Sequence, residues 1–229
     1  MRENYNLDDI IEWDVSNWSL ALEYWGKNTS HDLSKTRALE IGSGKGGLSL
    51  WMALNGAKVL CTDLHKPGDL AIEKHKKYNV ENLIDYQALN VLDIQYIDRF
   101  DIVFFKSVLG GIGADDNKEN QINAIHQMYK CLKKGGELFF AENLVASPIH
   151  HFLRKNFILW GKKWRYVSIE EMLEMLSVFS DVRYITVGFL GAFGRNEWQR
   201  KMLGAFDKSF INFLVPIDWR YIMIGIAKK

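Results

Sequence analysis

A doubly wound α/β domain follows from three features of this 229-residue sequence. Residues 38–41 and 58–62 are apolar runs of strand length; between them lie Gly42, Gly44, Gly46 and Gly47 and a helical stretch, 48–54, stopped by Asn55-Gly56. Residues 100–105 are nearly all apolar, as a parallel strand covered on both faces requires. Strand and helix patterns go on alternating to the carboxyl end, which predicts a sheet of several strands with helices on both faces.

Residues 1–37 precede the first strand. Ser16 or Asn17 can cap a helix that sets Trp18, Leu22 and Trp25 on one face, which predicts packing against the sheet. The dense glycines after the first strand allow positive φ and close approach of a ligand, and the next helix aims its unpaired N–H groups over them. Asp63 closes the second strand, where its carboxylate can accept hydrogen bonds from a ribose diol. Residues 65–68 form a turn and 69–77 a helix whose Lys74, Lys76 and Lys77 suit a solvated face; 83–89 alternate as a third strand. After the fourth strand, Lys106 and Ser107 stand at the edge where such sheets bind ligands. Residues 115–134 read as a helix with Ile122, Ile125, Met128, Tyr129 and Leu132 on its apolar side, ended by Gly135-Gly136, and 137–141 as the fifth strand. Pro148 suits the first position of a helix in which His150 and Arg154 share a face. Ser168 and Glu171 form a capping box for a helix through 179; 182–189 and 219–227 are the last strands, with a helical stretch at 196–214 between them.

Two chemistries use the glycine turn. Gly42, Gly44 and Gly47 satisfy G-x-G-x-x-G, with Asp63 at the spacing of a dinucleotide site. Glu40, Gly42, Gly44 and Gly46 equally satisfy E-x-G-x-G-x-G, and the run CLKKGGELFF is similar to a leucine-lysine-proline-glycine-glycine turn, with Lys134 in the place of the proline. In these segments the chain resembles the class I S-adenosylmethionine-dependent methyltransferases, over roughly residues 38–227. The resemblance implies a Rossmann-like, doubly wound seven-stranded sheet, mostly parallel with an antiparallel last strand, and S-adenosylmethionine as cofactor, with S-adenosylhomocysteine as product. It implies that Glu40 holds the amino end of the methionine moiety and that Gly42, Ser43, Gly44 and Gly46 line it. Asp63 would take the ribose, Leu64 one face of adenine, and Asn90 with Val91, or Asp93, the adenine edge. Backbone groups of Lys106 and Ser107 would approach the methionine part. It further implies that residues 1–37 form a cap, with Trp13 and Trp18 over the cofactor and 38–229 as the methyltransferase domain.

Beyond Glu142-Asn143 the chain leaves the shared core, and acceptor specificity is expected there. His150 is the expected general base with Glu142 as runner-up. Asn143, Arg154 and the aromatic and cationic run Trp160, Trp164, Arg165, Tyr166 are the expected acceptor wall. The segments ENLVASPIHHFLRKNF and GFLGAFGR look like those of methyltransferases associated with surface carbohydrate or lipid synthesis. A net charge of +1 with no basic block argues against nucleic acid, and no stretch is apolar and long enough to span a membrane. Cys61 and Cys131 are isolated in apolar segments, which suits the core of a cytoplasmic protein and offers no metal site. The expected function is O- or N-methylation of a small molecule, such as a sugar, lipid precursor or secondary metabolite, by a monomer or homodimer. An NAD(P)-dependent oxidoreductase and a non-catalytic cofactor-binding subunit are the alternatives.

Overall fold

Seven strands, β1 (Arg37–Ile41), β2 (Lys58–Asp63), β3 (Ile84–Ala88), β4 (Phe100–Lys106), β5 (Leu132–Asn143), β6 (Asp181–Val187) and β7 (Ile222–Lys228), form one sheet in the order β3-β2-β1-β4-β5-β7-β6. The computed structural model describes residues 5–157 and 163–229. All neighbouring strands are parallel except β7, which runs antiparallel to β5 and to β6.

Alternation along the strands divides the core in two. Ala38, Ile102, Phe104, Phe139 and Ala141 face one cluster; Leu39, Ile41, Val103, Phe105, Leu138 and Phe140 face the other. The first cluster is covered by α1 (Leu7–Ile10), α2 (Val15–Trp18), α3 (Leu20–Asn28) and α4 (Gly47–Leu54), with Trp18, Trp25 and Trp51 almost wholly buried. Trp25 Nε1 donates to the Gly225 carbonyl at 3.1 Å, which fixes α3 against β7. After α5 (Asp69–Lys77) and the short α6 (Leu109–Ile112), α7 (Lys118–Cys131) covers the second cluster. The chain continues through α8 (Pro148–Phe157), α9 (Ile169–Met175) and α10 (Glu197–Phe206). Among the described residues, Trp198 and Trp219 are exposed.

The sequence expectations differ from the structure chiefly at element ends. Neither Ser16 nor Asn17 caps the amino-terminal helix: Asn17 is fully buried and its amide donates to Asp207 Oδ2 and Tyr221 Oη, both at 3.0 Å. α7 begins at Lys118 because Asp115 and Asp116 adopt left-handed φ, and Asn117 caps it by accepting from Asn120 N. It ends at Cys131 because Leu132 already pairs with Phe100, so β5 starts before the two glycines. The capping box at Ser168 is formed with both its bonds, and α9 stops at Met175 in a 3-10 turn. Lys74 and Lys77 are not simply solvated: they pair with Glu12 at 3.1 Å and Asp9 at 2.8 Å and tie the amino-terminal segment to α5. Among the described residues no helix is long and apolar enough to cross a membrane.

Candidate active site

The carboxyl ends of β1, β2 and β4 meet around the glycine turn. Gly42, Gly44 and Gly46 all take positive φ. Two of them are crowded and one is not: a Cβ at Gly42 would lie 2.7 Å from Val108, one at Gly46 2.7 Å from His75, and one at Gly44 would meet nothing. Open space therefore lies over Gly44 alone. His75 is fully buried, with Nε2 at 2.8 Å from the Gly46 carbonyl and Nδ1 at 2.7 Å from Tyr86 Oη; its burial lowers the imidazole pKa. This histidine props the turn from below, and nothing in its sequence context distinguished it from the lysines beside it.

Glu40 is 2 % exposed and faces the turn. Its Oε2 accepts from the Ser49 backbone N–H at 3.0 Å, from the Ser49 hydroxyl, and from Cys61 Sγ at 3.8 Å. Burial outweighs these bonds and pushes its carboxyl up to about 8. Such a group gains by meeting a cation. Asp63 joins β2 to the turn, accepting from Gly44 N at 2.9 Å and Leu64 N at 2.7 Å. Leu64 is exposed beside it, and Asn90 follows β3, where Oδ1 accepts from Leu92 N at 3.0 Å. Val91 is buried; Asp93 is exposed and bonded to Gln95.

A pocket of about 120 Å³ is lined by Glu40, Gly42, Ser43, Gly44, Lys45, Gly47, Leu48 and Lys106, and from the amino-terminal segment by Ile10 and Glu12. Ile10 rather than Trp13 or Trp18 covers it: the Ile10 carbonyl sits so close to Gly47 that a Cβ there would collide with it. Trp18 lies beneath, with Lys106 Nζ 4.9 Å from its ring centroid. A larger hollow, about 510 Å³, opens at the other end of α4 near Asn55 and Tyr78, away from the turn.

The pocket suits the amino-acid end of S-adenosylmethionine. Ser43 Oγ is buried without a hydrogen-bond partner among the described residues, the space over Gly44 is open, and a buried carboxyl and an ammonium face the same cleft.

The residues expected to act on the acceptor are arranged otherwise. His150 is 2 % exposed, stacked on Phe193 with centroids 4.6 Å apart, and both ring nitrogens are engaged, by Ser147 Oγ at 2.7 Å and the Phe189 carbonyl at 2.8 Å. Burial lowers its pKa to about 4, so the ring is neutral and holds α8 to the loop after β6. Glu142 is fully buried; Oε2 accepts from Val108 N and Leu109 N, both at 2.8 Å, and Oε1 from Asn143 N. Burial pushes it to about 7, and its bonds make it the anchor of α6. Neither group is presented as a base. Ser107, at φ 55, accepts from Asn143 Nδ2 at 2.6 Å.

Arg165 turns away into a network with Asp116, Gln121 and Glu171, at 3.0, 2.7 and 2.5 Å. Arg154 is 8 % exposed, donates to the Leu144 carbonyl at 2.6 Å and lies 4.2 Å over the Tyr166 ring. Trp164 packs directly on Gly110, where any side chain would clash. Trp160 lies outside the described residues.

A seven-stranded sheet with β7 inserted antiparallel between β5 and β6, and an acid two residues before the first of three glycines, defines the class I S-adenosylmethionine-dependent methyltransferases. The dinucleotide fold orders its parallel strands 3-2-1-4-5-6, so the nicotinamide reading falls. Residues 39–140 match the model of the methyltransferase domain family, and the chain is a methyltransferase of this class that uses S-adenosylmethionine. No curated protein sequence matches it. Among solved structures it is similar to the MccD protein (17% identity, 92% of this chain and 96% of that one, TM-score 0.63). It is also similar to Haemonchus contortus phosphoethanolamine N-methyltransferase 2 (16%, 100% and 58%, TM-score 0.64). A third is a possible histamine N-methyltransferase from Thermotoga maritima (17%, 91% and 87%, TM-score 0.58).

Proposed function

We propose that the enzyme methylates an oxygen or nitrogen of a small molecule that enters over the carboxyl ends of β4 and β5. The observation that carries this reading is the arrangement of the site: Glu40, the glycine turn and Asp63 line the carboxyl ends of β1 and β2, and the ends of β4 and β5 beside them, at Ser107 and Asn143, are the side we assign to an acceptor. The bound cofactor supplies an electrophilic methyl carbon, and the protein's part is to align a nucleophile behind it and keep water out. Glu40 orients the amino end, Asp63 and Asn90 the ribose and adenine, and Ile10 and Glu12 close the methionine end. Asn143, Arg154, Trp164 and Tyr166 form the acceptor side in this reading. Because His150 and Glu142 are held by their own hydrogen bonds, no proton transfer is assigned to them. The names of the Haemonchus and Thermotoga proteins specify small amines, which supports an acceptor of that size.

The test is a two-stage assay. Calorimetry with S-adenosylmethionine, S-adenosylhomocysteine and NAD should give micromolar binding of the first two alone, lost in Asp63→Ala. A panel of small amines, sugars and hydroxylated metabolites should then yield acceptor-dependent S-adenosylhomocysteine. Cofactor binding with no product across the panel would favour the non-catalytic subunit.

A further inference from the structure

The pocket that receives the amino-acid end contains charges of both signs, and they are not equally matched. Glu12 is paired twice, with Lys45 at 3.3 Å and Lys74 at 3.1 Å. Glu40 is hydrogen-bonded through Oε2. Lys106 makes no ion pair or hydrogen bond among the described residues. Its ammonium rests over the indole of Trp18, a weak substitute for a counter-ion.

The sheet explains the placement. Glu40 of β1 pairs in register with Phe104 of β4, and Lys106 stands two residues further along the same face. The carboxyl and the ammonium are thus presented side by side above Gly42, on the face closed by Trp18 and Ile10. Burial lowers the Lys106 pKa, against the carboxyls of Glu12, Glu142, Glu40 and Asp14, which raise it. A desolvated ammonium of this kind is stabilised by any anion brought within contact distance. An α-amino acid carries one cation and one anion on a single carbon, the complement of this pair.

We infer that Lys106 binds the carboxylate of the cofactor's methionine moiety, opposite Glu40 on its amino group, and that binding lifts the ammonium from the Trp18 ring. The inference rests on the methyl-donor reading above. It makes a side chain of β4, not a backbone group, the residue that distinguishes intact cofactor from breakdown products lacking the carboxylate.

The experiment is a binding cycle by calorimetry. Wild type, Lys106→Met and Lys106→Arg are titrated with S-adenosylhomocysteine, with its decarboxylated analogue S-adenosyl-3-thiopropylamine, and with methylthioadenosine, which lacks the whole amino-acid end. Wild type should prefer S-adenosylhomocysteine over the decarboxylated analogue by about 10- to 100-fold, the range of a charge-assisted contact. Lys106→Met should lose that preference while binding methylthioadenosine as wild type does, and Lys106→Arg should recover most of it. Equal affinity of wild type for the two ligands overturns the inference without any variant. So does a preference that survives in Lys106→Met. Failure of wild type to bind S-adenosylhomocysteine at all would instead overturn the methyl-donor reading.

Discussion

Cofactor binding should release a proton, and the source should be Glu40. The carboxyl is buried, bonded only to Ser49 and Cys61, and titrates at about 8. At pH 7 it is therefore about 90% protonated. An ammonium placed against it favours the carboxylate and brings its pKa well below 7. Binding then expels about 0.9 proton from Glu40, and the cofactor's own amino group, mostly charged at this pH, takes back about 0.1–0.2. A net release of roughly 0.7–0.8 is expected at pH 7, reversing to a net uptake of about 0.8 at pH 9, where Glu40 has about 0.1 proton left to lose and the cofactor's amino group must gain about 0.9. The assay is calorimetry in phosphate and in Tris, buffers whose ionisation heats differ; the slope of observed heat against ionisation heat counts protons. Glu40→Gln keeps the shape, should bind about 10- to 100-fold more weakly, and should show no Glu40-derived release. Heats that are independent of buffer in wild type at pH 7, or a release that persists in Glu40→Gln, would refute the assignment of the amino end to this residue.

Other perturbations read the frame around the site. Gly46→Ala puts a Cβ 2.7 Å from His75 at φ +73; it should lower stability by about 1–3 kcal/mol and weaken cofactor binding, measured by thermal melting and calorimetry. Burial raises Asp14 from 3.8 to about 7, so its contribution to stability is fully present below about pH 4 and is lost as pH rises through about 7. The melting temperature should fall across that window, by the equivalent of at most about 4 kcal/mol, and Asp14→Asn should flatten the fall. His150→Gln should destabilise by about 1–3 kcal/mol through lost packing on Phe193 and Phe189 while leaving cofactor affinity unchanged, since the ring does not line the pocket.

What could be read in the sequence was what the backbone dictates locally. The first two strands and the glycine turn between them, the nearly all-apolar fourth strand and the Ser168 capping box depend on residues within one or two turns of chain, and each lies within a few positions of its expected place. The antiparallel last strand could be expected only from the family pattern. Side chains whose role is fixed by distant partners were misjudged or passed over. His150 shares a helix face with Arg154, as spacing requires, but that face turns inward, because Phe189, Phe193 and Tyr221 arrive from 39 to 71 residues away to enclose the ring. Arg165, alone an attractive anion ligand, is claimed by Glu171 and Asp116. Lys74 looked solvated because Glu12, its partner, is 62 residues earlier. Ile10 gave no signal, since an isoleucine that covers a pocket has the same pattern as one that fills a core.

The amino-terminal cover has its fastenings at the opposite end of the chain. Asp14 and Val15 donate their N–H groups to Glu197, Asn17 bonds to Asp207 and Tyr221, and the Tyr221 hydroxyl bonds to Asp14, spanning 182 to 207 residues. During synthesis the first helices emerge early and have nothing to close upon, while the glycine turn and its strands can already form. Ile10 over Gly47 is thus held from two sides, by the ion pairs of Asp9 and Glu12 with α5 and by the bonds of Asp14, Val15 and Asn17 to residues 197–221. Every residue that lines the methionine end is in the first half of the chain, yet the segment that closes it is fastened in full only by side chains from the last.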